Sequence, residues 1–160
     1  MFDFTQGYSG TLKNCYGVWE SGYTSTEADP RGIEADGNLD GIYPDHLRQS
    51  DFTVENMTIV NNAANTTDNV DRMQDVIKIR RGAKATITNA LVKGTGGTID
   101  LIDMNDSKGA GNAASSISIT NTLNFKNKLN GTLNTFTEPT TNTGADVSLF
   151  TWTGYNLSSL

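Results

Sequence analysis

Four stretches of this chain share one form: Ser or Thr, then an aliphatic residue, any residue, and Asn. They begin at Thr11 (TLKNCYGVW), Thr53 (TVENMTIVN), Thr86 (TITNALVKG) and Ser118 (SITNTLNFK), between 32 and 42 residues apart. Each alternates with period 2 and reads as a short strand. A second strand precedes each one: FDFTQG from Phe2, IEADGN from Ile33, IKIRRG from Ile77 and IDMNDS from Ile102. In that register Phe2, Ile33, Ile77 and Ile102 form one apolar column, and Phe4, Ala35, Ile79 and Met104 form the next. Side chains alternate along a strand, so Asp3, Glu34, Lys78 and Asp103 must point to the opposite face, with Thr5, Asp36, Arg80 and Asn105.

Strands this short cannot bury a face alone, but successive turns stacked on one another can. The pattern therefore predicts an all-β fold, a right-handed parallel β-helix (β-solenoid) of about four rungs forming a single domain over residues 1–160. An antiparallel β-sandwich would use similar strands and turns, but the two-strand unit recurs in the same order four times, which favours the coil. Two segments depart from the repeat. Residues 122–146, rich in Asn and Thr, are expected to be a polar excursion. Residues 147–160, with Phe150, Trp152 and Tyr155, are expected to form a C-terminal capping strand.

Composition narrows the function classes. Gly contributes 16 of 160 residues, only 36% are hydrophobic, and the net charge is −6. An acidic chain without a basic stripe is a poor partner for nucleic acid. No segment approaches the roughly 20 apolar residues of a membrane span, so no membrane insertion is expected. The single cysteine, Cys15, excludes an internal disulfide framework and sits in a strand pattern as a small apolar residue. The opening MFDFTQGYSG has neither the basic start nor the apolar run of a signal peptide and begins inside a strand pattern. The chain is therefore expected to be a fragment of a longer β-helix whose N-terminal rung self-associates.

The stretches FDFTQGYSGT, DPRGIEADGN, DVIKIRRGAKATITNALVKG and DLIDMNDSKG resemble the C-terminal portion of the large extracellular right-handed β-helix proteins of Bacteroidetes-type bacteria. The resemblance spans roughly residues 1–120 and the aromatic C-terminal end. It implies an extracellular or outer-cell-surface location and the β-helix fold, and it carries no established activity.

The stretch RGIEADGNLDGIYPD, residues 31–45, sets carboxylates among glycines and admits three readings. Asp36, Asn38 and Asp40 match the first half of the Asp-x-Asn-x-Asp-Gly calcium loop, although Leu47 stands where a bidentate acid belongs. A Ca2+ ion is the one cofactor the sequence suggests. The second reading is catalytic: Asp36 with Lys78 or Arg80 in an acidic outer groove, as a calcium-dependent polysaccharide lyase would need. The sole histidine, His46, does not support it. In the third, Glu34 stacks on Lys78 and Lys78 on Asp103, while Asp36 stacks on Arg80, a ladder of alternating charge.

The third reading makes the expected function a non-catalytic cell-surface scaffold or binding module. Its ligand is a glycan or a protein, met at Glu34, Asp36, Lys78, Arg80, Asp103 and the aromatic Trp152. The competing expectation is the lyase.

Overall fold

A computed structural model describes residues 1–5, 7–38, 48–64 and 72–157. Within them lie ten strands: β1 (Phe2–Phe4), β2 (Ser9–Trp19), β3 (Ile33–Asp36), β4 (Asp51–Asn61), β5 (Met73–Arg80), β6 (Lys84–Lys93), β7 (Gly97–Asp103), β8 (Ser116–Asn121), β9 (Asn124–Asn130) and β10 (Thr135–Thr137). The chain passes alternately between two five-stranded sheets, ordered β1-β3-β5-β7-β9 and β10-β8-β6-β4-β2. All neighbours are parallel, as expected when each turn lays its strand on the equivalent strand of the turn before. The architecture is all-β, with β-helix character and no antiparallel sandwich pairing between these strands.

The apolar columns fix the register. Phe2 pairs with Ile33, Ile33 with Ile77, and Ile77 with Ile102. The three isoleucines are 0–1% exposed. Each fully buried side chain of this size contributes roughly 1.5–3 kcal/mol, so slipping a strand by one residue would turn the whole column outward. In the second sheet Val54 pairs with Ile87 and Ile87 with Ile117, all buried. Phe4 stacks on Phe52 across the sheets, ring centres 4.1 Å apart.

The strands β2, β4 and β6 bend at one residue each. Asn14, Asn56 and Asn89 have φ of 53°, 57° and 52°, the left-handed region that Asn tolerates better than most residues. One such residue shifts the phase of the strand. Val54 and Met57, three apart, are both buried, as are Ile87 and Ala90. The asparagines also bond to one another: Asn56 Nδ2 donates to Asn14 Oδ1 at 3.3 Å, and Asn89 Nδ2 to Asn56 Oδ1 at 2.8 Å. The Asn of the first three copies of the sequence motif is thus the corner of its turn.

Ser118 does not extend the Thr11–Thr53–Thr86 column. Thr86 faces Ser116, and a register irregularity between Ile87 and Ala90 sets Ala90 against Ile119. Asn121 therefore lies opposite Val92 and makes no corner.

Residues 122–146 are not a free excursion. They supply β9, which pairs with β7, and β10, which pairs with β8, so another pair of strands is laid on the stack. From Pro139 the chain then runs back across the turns. The Thr120 hydroxyl donates to the Pro139 carbonyl, Asn142 Nδ2 donates to the Ala90 carbonyl, Thr143 N to Asn89 Oδ1, and Ala145 N to Thr58 Oγ1. It ends on β2, where Phe150 meets the Tyr16 ring edge-on and the Tyr16 hydroxyl donates to the Leu157 carbonyl. This return segment straps β8, β6, β4 and β2 together.

The expected capping strand at 147–160 is a 3-10 helix, Val147–Thr153, among the described residues. Asp146 caps its N-terminus by accepting from Ser148 N, and Gly154 ends it at φ 68°. None of its residues is buried, and Phe150 is the side chain that meets a rung, at Tyr16.

Candidate functional site

The outward residues of the first sheet form a continuous charged face. Glu34 is the neighbour of Lys78, Lys78 of Asp103, and Asp36 of Arg80, the order read from the sequence. Lys78 Nζ bonds Asp103 Oδ2, with both side chains buried to about nine-tenths. Arg80 Nε donates to Asp36 Oδ1 at 2.5 Å, and its Nη2 to Glu34. Arg80 Nη1 also lies 3.6 Å from Asp106 Oδ2. Burial works against the charged guanidinium, but Asp36 and Glu34 outweigh it and hold the pKa of Arg80 above its ordinary value.

Several members of this face escape a reading by simple alternation. Asp75, three residues before Lys78, would point inward with Ile77 in a regular strand. Instead Val76 and Ile77 both belong to the core, and so do Leu101 and Ile102 in the next strand. The pairing skips Val76 and Leu101, and Asp75 faces Asp100. The double apolar step brings Asp75 and Asp100 beside Lys78 and Asp103. The spacing Asp-x-x-Lys in β5 and Asp-x-x-Asp in β7 is the sequence signal for it.

Arg31 is the other residue the sequence reading passed over. It is 8% exposed; its Nε donates to Asp75 Oδ2 at 3.0 Å and its Nη2 to Asp29 Oδ2 at 2.8 Å. Its Nη1 stands 3.0 Å from Glu34 Oε1, as an ion pair rather than an aligned hydrogen bond. Burial pushes the Asp75 carboxyl up to about 6 despite the bond from Arg31 and the nearby Lys78 charge. Asp3, at the other end of the face, is also raised, by burial and then by Glu34 and Asp36.

One carboxylate oxygen from each of Asp75, Asp100 and Asp103 lies within 4.8 Å of the others. Three buried carboxylates are a donor set for a hard cation. Here, however, Arg31 holds Asp75, Lys78 holds Asp103, and the amides of Asn127 and Asn130 donate to Asp100. Each of the three carboxylates is thus already held by a side-chain donor, two of them by a cation.

The other sequence candidates lie apart. Asp36 accepts from Arg80 and has Arg81 Nη1 at 3.5 Å. Asn38 donates through Nδ2 to the Arg48 carbonyl, and its buried Oδ1 has no hydrogen-bond donor among the described residues. Asp40, the third calcium candidate, and His46 lie outside the described residues. Trp152, 81% exposed, stands on the 3-10 helix away from the charged face. Cys15 is half-buried, and burial raises its thiol pKa, which keeps it protonated.

Beside the face lies a cleft of about 380 Å3, lined in part by Phe2, Asp3, Trp19, Tyr23, Arg31 and Glu34. Trp19 is buried, its indole N–H donating to the Tyr23 carbonyl, while the Tyr23 ring is 62% exposed. Aromatic surface beside carboxylates is the combination that receives a ring with hydroxyl groups.

A family model described as a pectate-lyase like beta helix domain matches residues 1–155. No curated protein and no solved structure matches the chain.

Proposed function

From the premise that this chain belongs to the pectate-lyase-like beta helix domain family, we propose that it is a non-catalytic binding module of an extracellular, cell-surface β-helix protein. In this reading the coil is right-handed with about four rungs, as connections between parallel strands usually are, and the chain is the C-terminal portion of a longer bacterial protein. The ligand is a glycan, received in the cleft of Tyr23, Asp3 and Glu34. Trp152 offers a second exposed aromatic surface. One observation carries the reading: Lys78 and Arg80, the cations that a lyase reading would use as its base, are both held in ion pairs by Asp103, Asp36 and Glu34. A base must give up its proton readily; Asp36 and Glu34 hold the Arg80 guanidinium above its ordinary pKa, and the Lys78 amine is already engaged by Asp103.

The lyase reading retains the support of the family description and of the three clustered carboxylates. Incubation with uronate polymers, with and without calcium, separates the two, with the unsaturated product read by absorbance. No turnover is expected, while calorimetry against a panel of neutral and acidic oligosaccharides should show binding that Tyr23→Ala weakens at least tenfold. Turnover lost in Asp36→Asn or Arg80→Ala would establish the lyase instead.

A further inference from the structure

Lys78 and Asp103 are register neighbours on adjacent parallel strands, with their side chains 9% and 10% exposed and the amine on the carboxylate. Asp75 and Asp100 each bring a carboxylate oxygen within 4.8 Å of the Asp103 carboxylate. A primary amine, a carboxyl group and a second carboxyl group are thus confined together away from water. Strand pairing fixes the backbone on both sides, so amine and carboxyl meet without loss of further freedom, the condition under which effective molarities become very large.

We propose that Lys78 Nζ and Asp103 Cγ condense into an intramolecular isopeptide bond that staples β5 to β7, with Asp75 moving the proton. The buried ion pair is the starting state. Asp75 takes one proton from the Lys78 ammonium, and the neutral amine attacks Cγ of Asp103. The Nζ–Cγ bond forms and one Cγ–Oδ bond breaks. The departing oxygen takes the proton held by Asp75 together with the second amine proton and leaves as water. The balance is one ammonium and one carboxylate giving one amide and one water, with no oxidant and no co-reactant.

Burial favours this direction. Two charges inside a low-dielectric site are costly to desolvate before they attract one another, and the amide carries none. Asp75 suits the carrier role because burial raises its pKa to about 6, so both of its protonation states are populated near neutral pH. Arg31, bonded to Asp75 Oδ2, holds that carboxyl in place. Asp100 is fixed by Asn127 and Asn130 and does not reach for the amine's proton. This inference is independent of the ligand.

Intact mass spectrometry of the denatured full chain tests it. Protein recovered in denaturant from inclusion bodies, never having folded, should have the sequence mass, and after refolding it should lose one water as the bond forms. Proteolysis should then release a branched peptide joining a β5 fragment to a β7 fragment. Lys78→Arg, which keeps the charge but has no primary amine, should stay at full mass. That variant matters because Asp36–Gly37 can also lose water by closing a succinimide; loss of water persisting in Lys78→Arg would assign the loss to such a site and overturn the proposal. Asp75→Asn should slow the reaction at least tenfold, and an unchanged rate would overturn the role given to Asp75. Folded wild-type protein that keeps its full mass after days near neutral pH would show that Lys78 and Asp103 remain an ion pair only.

Discussion

At the scale of the residue, Asp75 makes the stability of the molecule depend on pH in an unusual direction. Most paired carboxylates are stabilised in the ionised form by folding, whereas Asp75 is desolvated enough that its carboxyl rises from 3.8 to about 6. The folded state therefore holds this proton more tightly than the unfolded chain does. Between those two pH values the folded protein binds more protons, so stability falls as pH rises through the window and is level above it. Two pKa units correspond to about 3 kcal/mol as an upper bound. Urea midpoints at pH 4.5 and 7 should differ more in the wild type than in Asp75→Asn, which has no carboxyl to titrate there. Equal slopes in the two proteins would mean that Arg31 neutralises Asp75 fully.

At the scale of the element, the first sheet was legible because its isoleucines repeat in a column that only one register buries. The pairings of Phe2, Ile33, Ile77 and Ile102, and of the charges between them, follow from that column. Asp75 and Asp100 were not legible, because Val76–Ile77 and Leu101–Ile102 break the alternation on which the reading relies. Strand β9 was hidden for another reason: as the outermost strand of its sheet it buries little, and NFKNKLN looks like loop. The motif Asn was legible as a repeat but not as a corner, since sequence spacing does not display φ. That corner is testable at Asn56, which sits between Asn14 and Asn89. Asn56→Ala places a Cβ residue in the left-handed region, at about 1–2 kcal/mol, and deletes two hydrogen bonds worth about 1 kcal/mol each. Asn56→Gly loses the bonds but keeps the conformation. Denaturant midpoints should rank wild type above Gly and Gly above Ala; the reverse order of the two variants would remove the backbone from the explanation.

At the scale of the whole molecule, stacking leaves two ends, and the chain treats them differently. The strap from Pro139 to Leu157 ties the last turns back to β2 through fixed single contacts without periodicity, which is why no repeat search could find it. At the other end, β1 and β2 are the outermost strands of their sheets. Part of the apolar surface there is covered from within: Phe4 is 4% exposed, stacked on Phe52, with the Tyr8 ring 5.6 Å away. Phe2, Leu12 and Cys15 are only partly buried. Any association at this end would rest chiefly on the unpaired main-chain edge, with a modest apolar contribution. Such an edge is closed most simply by a second copy meeting it head to head, the symmetric arrangement that satisfies both at once. Because Phe4 no longer contributes, the pair should be weak, forming at high-micromolar concentration and dissociating on dilution. Light scattering across a dilution series should show the mass falling toward the monomer. Leu12→Lys, which sets a charge at the edge, should hold the protein monomeric throughout while leaving its circular dichroism unchanged. A wild-type protein that stays monomeric at the highest concentration would mean that this end is closed by its own side chains.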